Sequence, residues 1–183
     1  MSNALASVAV GLELGLSFDQ IASGLADFRG AERRFEIRGE PNGILVIDDY
    51  GHHPTEIAAV LAAARAALDR RLVVAFQPHR YTRTRDLLDA FGPALKNADE
   101  IVLADIYAAS EEPIPGVTVE ALADAIGRGS GKPVRIARTL DDVVATVTEI
   151  AKPGDAVITL GAGSIGTVPA RLVEALGRKE SQK

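Results

Sequence analysis

From Leu5 to Leu25 the apolar residues recur every three or four positions: Leu5, Val8, Ala9 and Leu12, then Ile21 and Leu25. That period predicts two short helices. The first is capped by Asn3 and stops near Gly15; the second is capped by Ser17 and ends before Gly30. The pattern then alternates through Arg33-Arg34-Phe35-Glu36-Ile37-Arg38-Gly39, a strand, and turns at Pro41-Asn42-Gly43 into the apolar run 44–47, which together read as a hairpin. Beyond it, short β-branched runs and helical stretches take turns. Strands are expected at 72–76, 101–105, 134–137 and 156–160. Helices are expected from Pro54 through Leu68, from the Arg80 region to near Lys96, from Thr118, over 140–150 and over 164–176. Thr118 caps its helix only in part, with Glu120 in the first turn and Ala121 at the third position. The tail 179–183 is polar and expected to fray. Such alternation predicts an α/β fold with a mostly parallel sheet, helices on both faces and right-handed crossovers, preceded by two short helices.

Composition narrows the chemistry. Of the 183 residues 47% are hydrophobic but only 4% aromatic, so the core must be built from Ala, Val, Leu and Ile. The net charge of −5 and the absence of a basic run argue against a nucleic-acid partner. Zero cysteines exclude disulfides, thiolate metal sites and cysteine nucleophiles, and suit a cytoplasmic location. No apolar stretch approaches the ~20 residues of a membrane span, and no signal-peptide pattern opens the chain.

Two clusters stand out, each where a strand hands over to a helix. Phe76-Gln77-Pro78-His79-Arg80-Tyr81-Thr82-Arg83-Thr84-Arg85-Asp86 packs a histidine and three arginines into one such junction. Strand carboxyl ends are where open α/β sheets bind ligands. Helix starts favour anions, and the guanidinium fork matches carboxylate or phosphate. A solvated basic helix start is the plain alternative. The other cluster is Asp48-Asp49-Tyr50-Gly51-His52-His53-Pro54-Thr55-Glu56. Its acids could hold a metal or a ribose hydroxyl, and its histidines could bind anions or move protons. Equally, an acid there could cap the turn with a histidine packed against it. Gly161-Ala162-Gly163-Ser164-Ile165-Gly166 matches the dinucleotide fingerprint G-x-G-x-x-G, but it follows the last strand rather than the first, and no acid-ended strand follows. A tight turn, or backbone N–H groups beside an anion site, are the other readings.

Taken together, Asn3-Ala4-Leu5-Ala6, Arg33-Arg34-Phe35-Glu36, the two clusters, Asp105-Ile106-Tyr107-Ala108-Ala109 and Gly161-Ala162-Gly163 resemble the Mur ligase family, in its alanine-adding branch. The resemblance runs from Asn3 to the last helix. The Asp-His-Pro turn is general to Mur and folylpolyglutamate ligases, whereas the 76–86 string is specific to that branch. The resemblance implies a Rossmann-like C-terminal domain at 31–183, preceded at 1–30 by the terminal helices of a central ATPase domain. Met1-Ser2 is then expected to mark a cut. No G-x-x-x-x-G-K-[ST] phosphate loop occurs; Gly131-Lys132 is followed by Pro133.

What the resemblance implies for function is an ATP- and Mg2+-dependent ligase of peptidoglycan synthesis. It phosphorylates the lactyl carboxylate of UDP-N-acetylmuramate, and L-alanine then attacks the acyl phosphate. Arg34, with Arg33 beside it, would reach nucleotide phosphates, and Asp49 the ribose. His52 would sit at the reacting centre, and His79, Arg80 and Arg83 would hold substrate carboxylate and the muramoyl end. ATP and Mg2+ would be held mainly by the central domain, with no metal ligand in this stretch, so the fragment alone is expected to be inactive. The N-terminal and central domains of the same polypeptide would be its partners. Two alternatives remain at this point: a ligase that recycles murein tripeptide, and a non-catalytic nucleotide-binding module.

Overall fold

The computed structural model describes residues 2–28 and 31–178, and the chain divides into two compact units, one within residues 1–32 and one from Arg33 onward. In the first unit, helices α1 (Ser2–Glu13) and α2 (Phe18–Asp27) pack where Gly11 leaves room for Ile21; a Cβ at Gly11 would lie 2.8 Å from the Ile21 side chain. Ser17 caps α2 as its spacing predicts. Its hydroxyl accepts from the Gln20 N–H, and the Gln20 side chain accepts from the Ser17 N–H. The expected cap at Asn3 is not one, because α1 already begins at Ser2. Gly30, expected to follow α2, and the tail 179–183, expected to fray, lie outside the described residues.

The second unit is a six-stranded sheet in the order β1-β2-β6-β3-β4-β5. Its strands are β1 (Glu36–Gly39), β2 (Leu45–Asp49), β3 (Leu72–Phe76), β4 (Glu100–Leu103), β5 (Val134–Ile136) and β6 (Ala156–Leu160). Only β1 and β2 pair antiparallel, as the hairpin pattern predicts; the rest is parallel. β2, β3 and β6 are buried along their whole length, which is why their apolar residues stand side by side instead of alternating with polar ones. One face carries α3 (Pro54–Ala67), α5 (Phe91–Ala94) and α6 (Val119–Ser130) through Ile57, Leu61, Phe91, Leu122 and Ile126. The other carries α7 (Leu140–Ile150) and α8 (Val168–Arg178) through Val143, Val147, Leu172 and Leu176. No helix of the described residues is long and apolar enough to cross a membrane.

Three elements depart from the sequence pattern. The first strand begins at Glu36 rather than Arg33, because Arg33 and Phe35 take positive φ (54° and 50°) in a loop held by acceptors at the end of β2. The single helix expected to run to Lys96 is broken into α4 (Tyr81–Asp86), a 3-10 turn at Leu88–Ala90, and α5. Pro93 is the reason: it has no N–H for the carbonyl four residues back, and its ring would clash there, so the helix restarts with Pro93 in the new first turn. The last helix likewise opens with a 3-10 turn at Ser164–Thr167 before α8 begins.

Helix α6 crosses α5 at two glycines, with backbone against backbone. A Cβ on Gly129 would come 2.9 Å from the Gly92 Cα and 2.9 Å from the Pro93 ring. Alanine in a helix interior ordinarily gains about 1 kcal/mol over glycine, but overpacking costs about 1–3 kcal/mol, and here neither backbone can retreat without moving its helix. Gly129→Ala is therefore expected to destabilise the chain by about 1 kcal/mol, read as a lowered midpoint in urea unfolding.

Candidate functional site

The carboxyl ends of β2, β6 and β3 lie level, Asp49 and Phe76 both pairing with Leu160. The last strand, β6, is inserted between the two strands that carry the clusters, so residues far apart in sequence leave the sheet side by side. The opposite edge of the sheet is closed by pairing: Arg71 binds both Asp155 oxygens, at 3.1 and 2.8 Å, and the Ile150 carbonyl at 2.8 Å.

At the carboxyl edge the floor is a buried ion pair. Asp48 is 1% exposed; it takes the Arg33 Nε at 2.8 Å and the Thr159 hydroxyl at 2.8 Å. The Arg33 Nη2 donates to the Gly161 carbonyl at 2.6 Å. Asp49, also buried, accepts from the Gly51 N–H at 2.7 Å and the Phe35 N–H at 2.8 Å, one on each oxygen. Asp49 thus holds the turn that follows it, while Asp48 holds Arg33 and Thr159 beneath it. Arg33 and Arg34, neighbours in sequence, part company: Arg33 turns inward, while Arg34 is exposed with its guanidinium 5.9 Å from the centre of the Tyr50 ring.

The glycine-rich loop is filled from inside by the protein itself. A Cβ at Gly163 would meet the Tyr107 ring at 2.6 Å, and one at Gly166 the Arg33 guanidinium at 2.7 Å. Gln77, 6% exposed, clamps the loop: its Oε1 accepts from the Ile165 N–H at 3.0 Å and its Nε2 donates to the Ser164 hydroxyl at 3.2 Å. The tight-turn reading of this motif accounts for its glycines, which leave room for the Tyr107 and Arg33 side chains.

Above this floor the two clusters meet. The rings of His52 and His79 are 5.6 Å apart, and His79 stacks on Tyr107 at 5.5 Å. The His52 Nδ1 lies 3.1 Å from the Tyr50 carbonyl and 3.6 Å from Glu56 Oε2. Glu56 also accepts the His52 and His53 N–H groups, both at 3.1 Å, in a capping box whose N-cap is His53. Burial raises the Glu56 carboxyl, but those N–H groups and the charges of His52 and Arg34 outweigh it, holding it below the usual range. Arg83 Nη1 lies 3.2 Å from the His79 Nδ1 and donates to the His79 carbonyl at 3.1 Å.

Arg80 has φ 76° and ψ 139°, a backbone region that side chains rarely enter and that costs about 1–3 kcal/mol. It is held there from three directions. Its N–H donates to the Tyr107 carbonyl at 2.8 Å, and its own carbonyl accepts from the Thr84 N–H at 3.1 Å and the Thr84 hydroxyl at 2.8 Å. The Arg80 side chain is half exposed, its nearest acid being Glu111 at 3.9 Å. Because α4 is only six residues long, the positive field here comes from the guanidinium groups more than from a helix dipole.

The structure brings His52, His79, Arg80 and Arg83 to one edge, places the exposed Arg34 beside the Tyr50 ring, and engages both oxygens of Asp49 with backbone N–H groups. Glu56, Gln77, Thr84 and Tyr107 complete the arrangement and are not evident from residue type alone; each stands in a motif quoted above, but its partner lies in another segment or on the backbone. Among the described residues no group of three or more His, Asp or Glu gathers as a metal shell, and the acids nearest the edge are already paired, so these residues do not fit a magnesium site. An open groove of about 550 Å3 lies beyond Tyr81, but its Arg138 is already paired with Asp105 and Glu120, whereas beside His79 the one ion pair of Arg80 or Arg83 among the described residues is the looser Arg80–Glu111 contact at 3.9 Å.

Residues 33–163 match the family model described as Mur ligase, glutamate ligase domain. The chain belongs to that family. It is 52% identical over 174 residues to a UDP-N-acetylmuramate–L-alanine ligase of Geotalea daltonii, covering 95% of this chain and 38% of that protein. Among solved structures it is similar to the UDP-N-acetylmuramate–alanine ligase of Thermotoga maritima, with a TM-score of 0.78 and 30% identity, over 99% of this chain and 37% of the other. It is also similar to a murein peptide ligase of Psychrobacter arcticus, with a TM-score of 0.69 and 29% identity, over 96% of this chain and 36% of the other. The chain thus spans under two fifths of the length of these relatives, and the Rossmann-like sheet preceded by two helices is the fold the family shares.

Two outcomes follow for this Mur ligase domain. Arg33→Met strands a buried carboxylate and is expected to cost about 3 kcal/mol in chemical denaturation, since breaking a buried pair by removing one partner costs about 3–5 kcal/mol. Burial, the His52 ring and the Arg83 and Arg80 charges hold His79 below the usual histidine range, with Glu111 opposing. Its neutral form is therefore favoured in the fold. Protonation costs stability, with the cost absent above the ordinary histidine value and complete below the lowered one. Arg83→Met should raise the His79 midpoint in an NMR titration.

Proposed function

We propose that this chain is the C-terminal, substrate-binding part of an ATP-dependent ligase that joins L-alanine to UDP-N-acetylmuramate through an acyl phosphate, in the cytoplasm, during peptidoglycan synthesis. The observation that carries this reading is the meeting of His52, His79, Arg80 and Arg83 at one sheet edge, where Arg80 has only a loose contact with Glu111 at 3.9 Å. A carboxylate is a poor electrophile until phosphorylated. Once ATP has supplied that activation, the remaining task is to position anions and to stabilise developing negative charge. Arg80 and Arg83 hold the amino-acid carboxylate and the muramoyl end, and His79 and His52 face the reacting carbon. Arg34, free on the Tyr50 ring, reaches the nucleotide phosphates. Asp49 reaches the ribose only through the lone pairs that its two N–H partners leave.

The ATP phosphates and magnesium fall to the central domain of the longer protein, which is consistent with the missing phosphate-loop motif and with the 38% share of the Geotalea relative that this chain covers. Helices α1 and α2 are the end of that central domain. The exposed Leu5, Leu12, Leu14 and Phe18 in this unit are what such a truncated packing face would show. The alternative of a murein tripeptide ligase shares the fold; the 52% identity to an alanine-adding enzyme favours alanine.

The test is amide formation by the full-length protein with UDP-N-acetylmuramate and either L-alanine or the tripeptide. Alanine is expected to be used and the tripeptide not, and the 183-residue chain alone should release no phosphate from ATP. In the full-length protein Arg80→Ala and Arg83→Ala should each lower kcat/KM about tenfold to a hundredfold, since a charge-assisted bond contributes about 1.5–3 kcal/mol. Lysine should rescue only in part, lacking the two-pronged contact. Wild-type kcat/KM in both alanine variants would make these arginines surface charges.

A further inference from the structure

The hydrogen-bond partners of the two histidines fix which ring nitrogen of each carries the proton. The His52 Nδ1 faces only acceptors: the Tyr50 carbonyl at 3.1 Å and the Glu56 carboxylate at 3.6 Å. A carbonyl and a carboxylate offer no proton, so neutral His52 holds its proton on Nδ1 and leaves Nε2 with a bare lone pair. The His79 Nδ1 faces the opposite kind of group. Arg83 Nη1, 3.2 Å away, can only donate, so neutral His79 carries its proton on Nε2. Neither Nε2 is hydrogen-bonded, and neither is among the sealed, unpaired polar atoms of the interior. The two rings, 5.6 Å apart, thus present opposite faces to the same edge: one accepts a proton and the other donates a hydrogen bond.

We propose that Glu56 and the Tyr50 carbonyl orient His52 as the base for the amine nucleophile, while Arg83 fixes His79 as a standing N–H donor to the acyl-phosphate oxygen. This deepens the ligase reading above and rests on it. In the step, the His52 Nε2 takes one proton from the incoming ammonium group, freeing its lone pair. The nitrogen then bonds to the acyl carbon, the bond from that carbon to the phosphate oxygen breaks, and the second proton leaves with inorganic phosphate. His52 returns its proton to solvent, so amide, phosphate and one proton are the products. Glu56 does for His52 what an orienting carboxylate does for any catalytic imidazole: it selects the tautomer and stabilises the cation formed. The charged groups facing the pair are Glu56 and Arg34 around His52, and Arg80, Arg83 and Glu111 around His79.

The chain has three histidines, all in the two clusters, so nitrogen-15 NMR can assign each ring. At a pH where they are neutral, His52 should read as protonated on Nδ1, the form a free histidine populates less, and His79 as protonated on Nε2. Glu56→Gln keeps an acceptor oxygen for the two N–H groups of the cap and removes the charge. It should leave the thermal midpoint within a few degrees while the Nδ1–H form of His52 loses population. His52 protonated on Nε2, or both rings in one tautomer, overturns the proposal without touching the ligase reading.

The second arm uses the full-length protein with hydroxylamine in place of L-alanine, a nucleophile already largely unprotonated at neutral pH. His52→Asn should lose at least a hundredfold in amide formation and far less in hydroxamate formation. Equal losses in both would place His52 elsewhere in the reaction and overturn its role as the base. A wild-type protein that forms neither product would instead remove the ligase reading itself.

Discussion

Arg33 ties three pieces of chain together at the carboxyl edge of the sheet, beside the ladder that already pairs β2 with β6. Its guanidinium binds the buried Asp48 at the end of β2 and the Gly161 carbonyl at the end of β6, and its own carbonyl accepts the Tyr50 N–H at 2.7 Å. A carboxylate buried this deeply is unfavourable without a cation against it. The entry segment therefore has to fold back onto the sheet edge, even though this puts Arg33 and Phe35 at positive φ. Tyr50 is placed by that bond, and through the Tyr50 carbonyl so is His52.

From the other side, Gln77 leaves β3 and grips the glycine loop, while the backbone of Tyr107 takes the Arg80 N–H. His79 lies between, stacked on Tyr107, with Arg83 against its Nδ1. The edge is therefore rigid where it must be, beneath the rings, and open where the guanidinium groups project. This suits the proposed role, in which the domain brings prearranged charge to a phosphorylated carboxylate instead of gathering it on contact.

The sheet was legible because β3 is apolar throughout, β2 and β6 carry consecutive apolar residues before Asp48 and around Thr159, and each helix between them keeps its period; β3 and β6 fall on the very residues the pattern marks. The broken helix was less so, although Pro93 was in view, since a proline three residues into a restarted helix looks like one inside a longer helix. The site was legible as residue types at strand ends: His52, His79, Arg80 and Arg83 do converge. Its wiring was not. Nothing in Asp48-Asp49 says which cation is drawn inward, because that depends on Arg33 and Thr159, 15 and 111 residues away in sequence. Neighbouring Arg33 and Arg34 look equivalent until the positive φ at Arg33 separates them. Glu56 was hidden by its cap, since histidine is an unusual N-cap and the capping box starting at His53 does not announce itself.

Arg80 carries a consequence for anyone selecting variants. Its backbone lies where glycine rests at ease and every other residue is strained, yet its side chain is one of the exposed cations of the edge. The two demands pull in opposite directions. A screen that rewards only heat resistance would drift toward glycine at this position and report success, while discarding a charge for which the fold tolerates the strain. Here thermal robustness and usefulness would have to be scored separately.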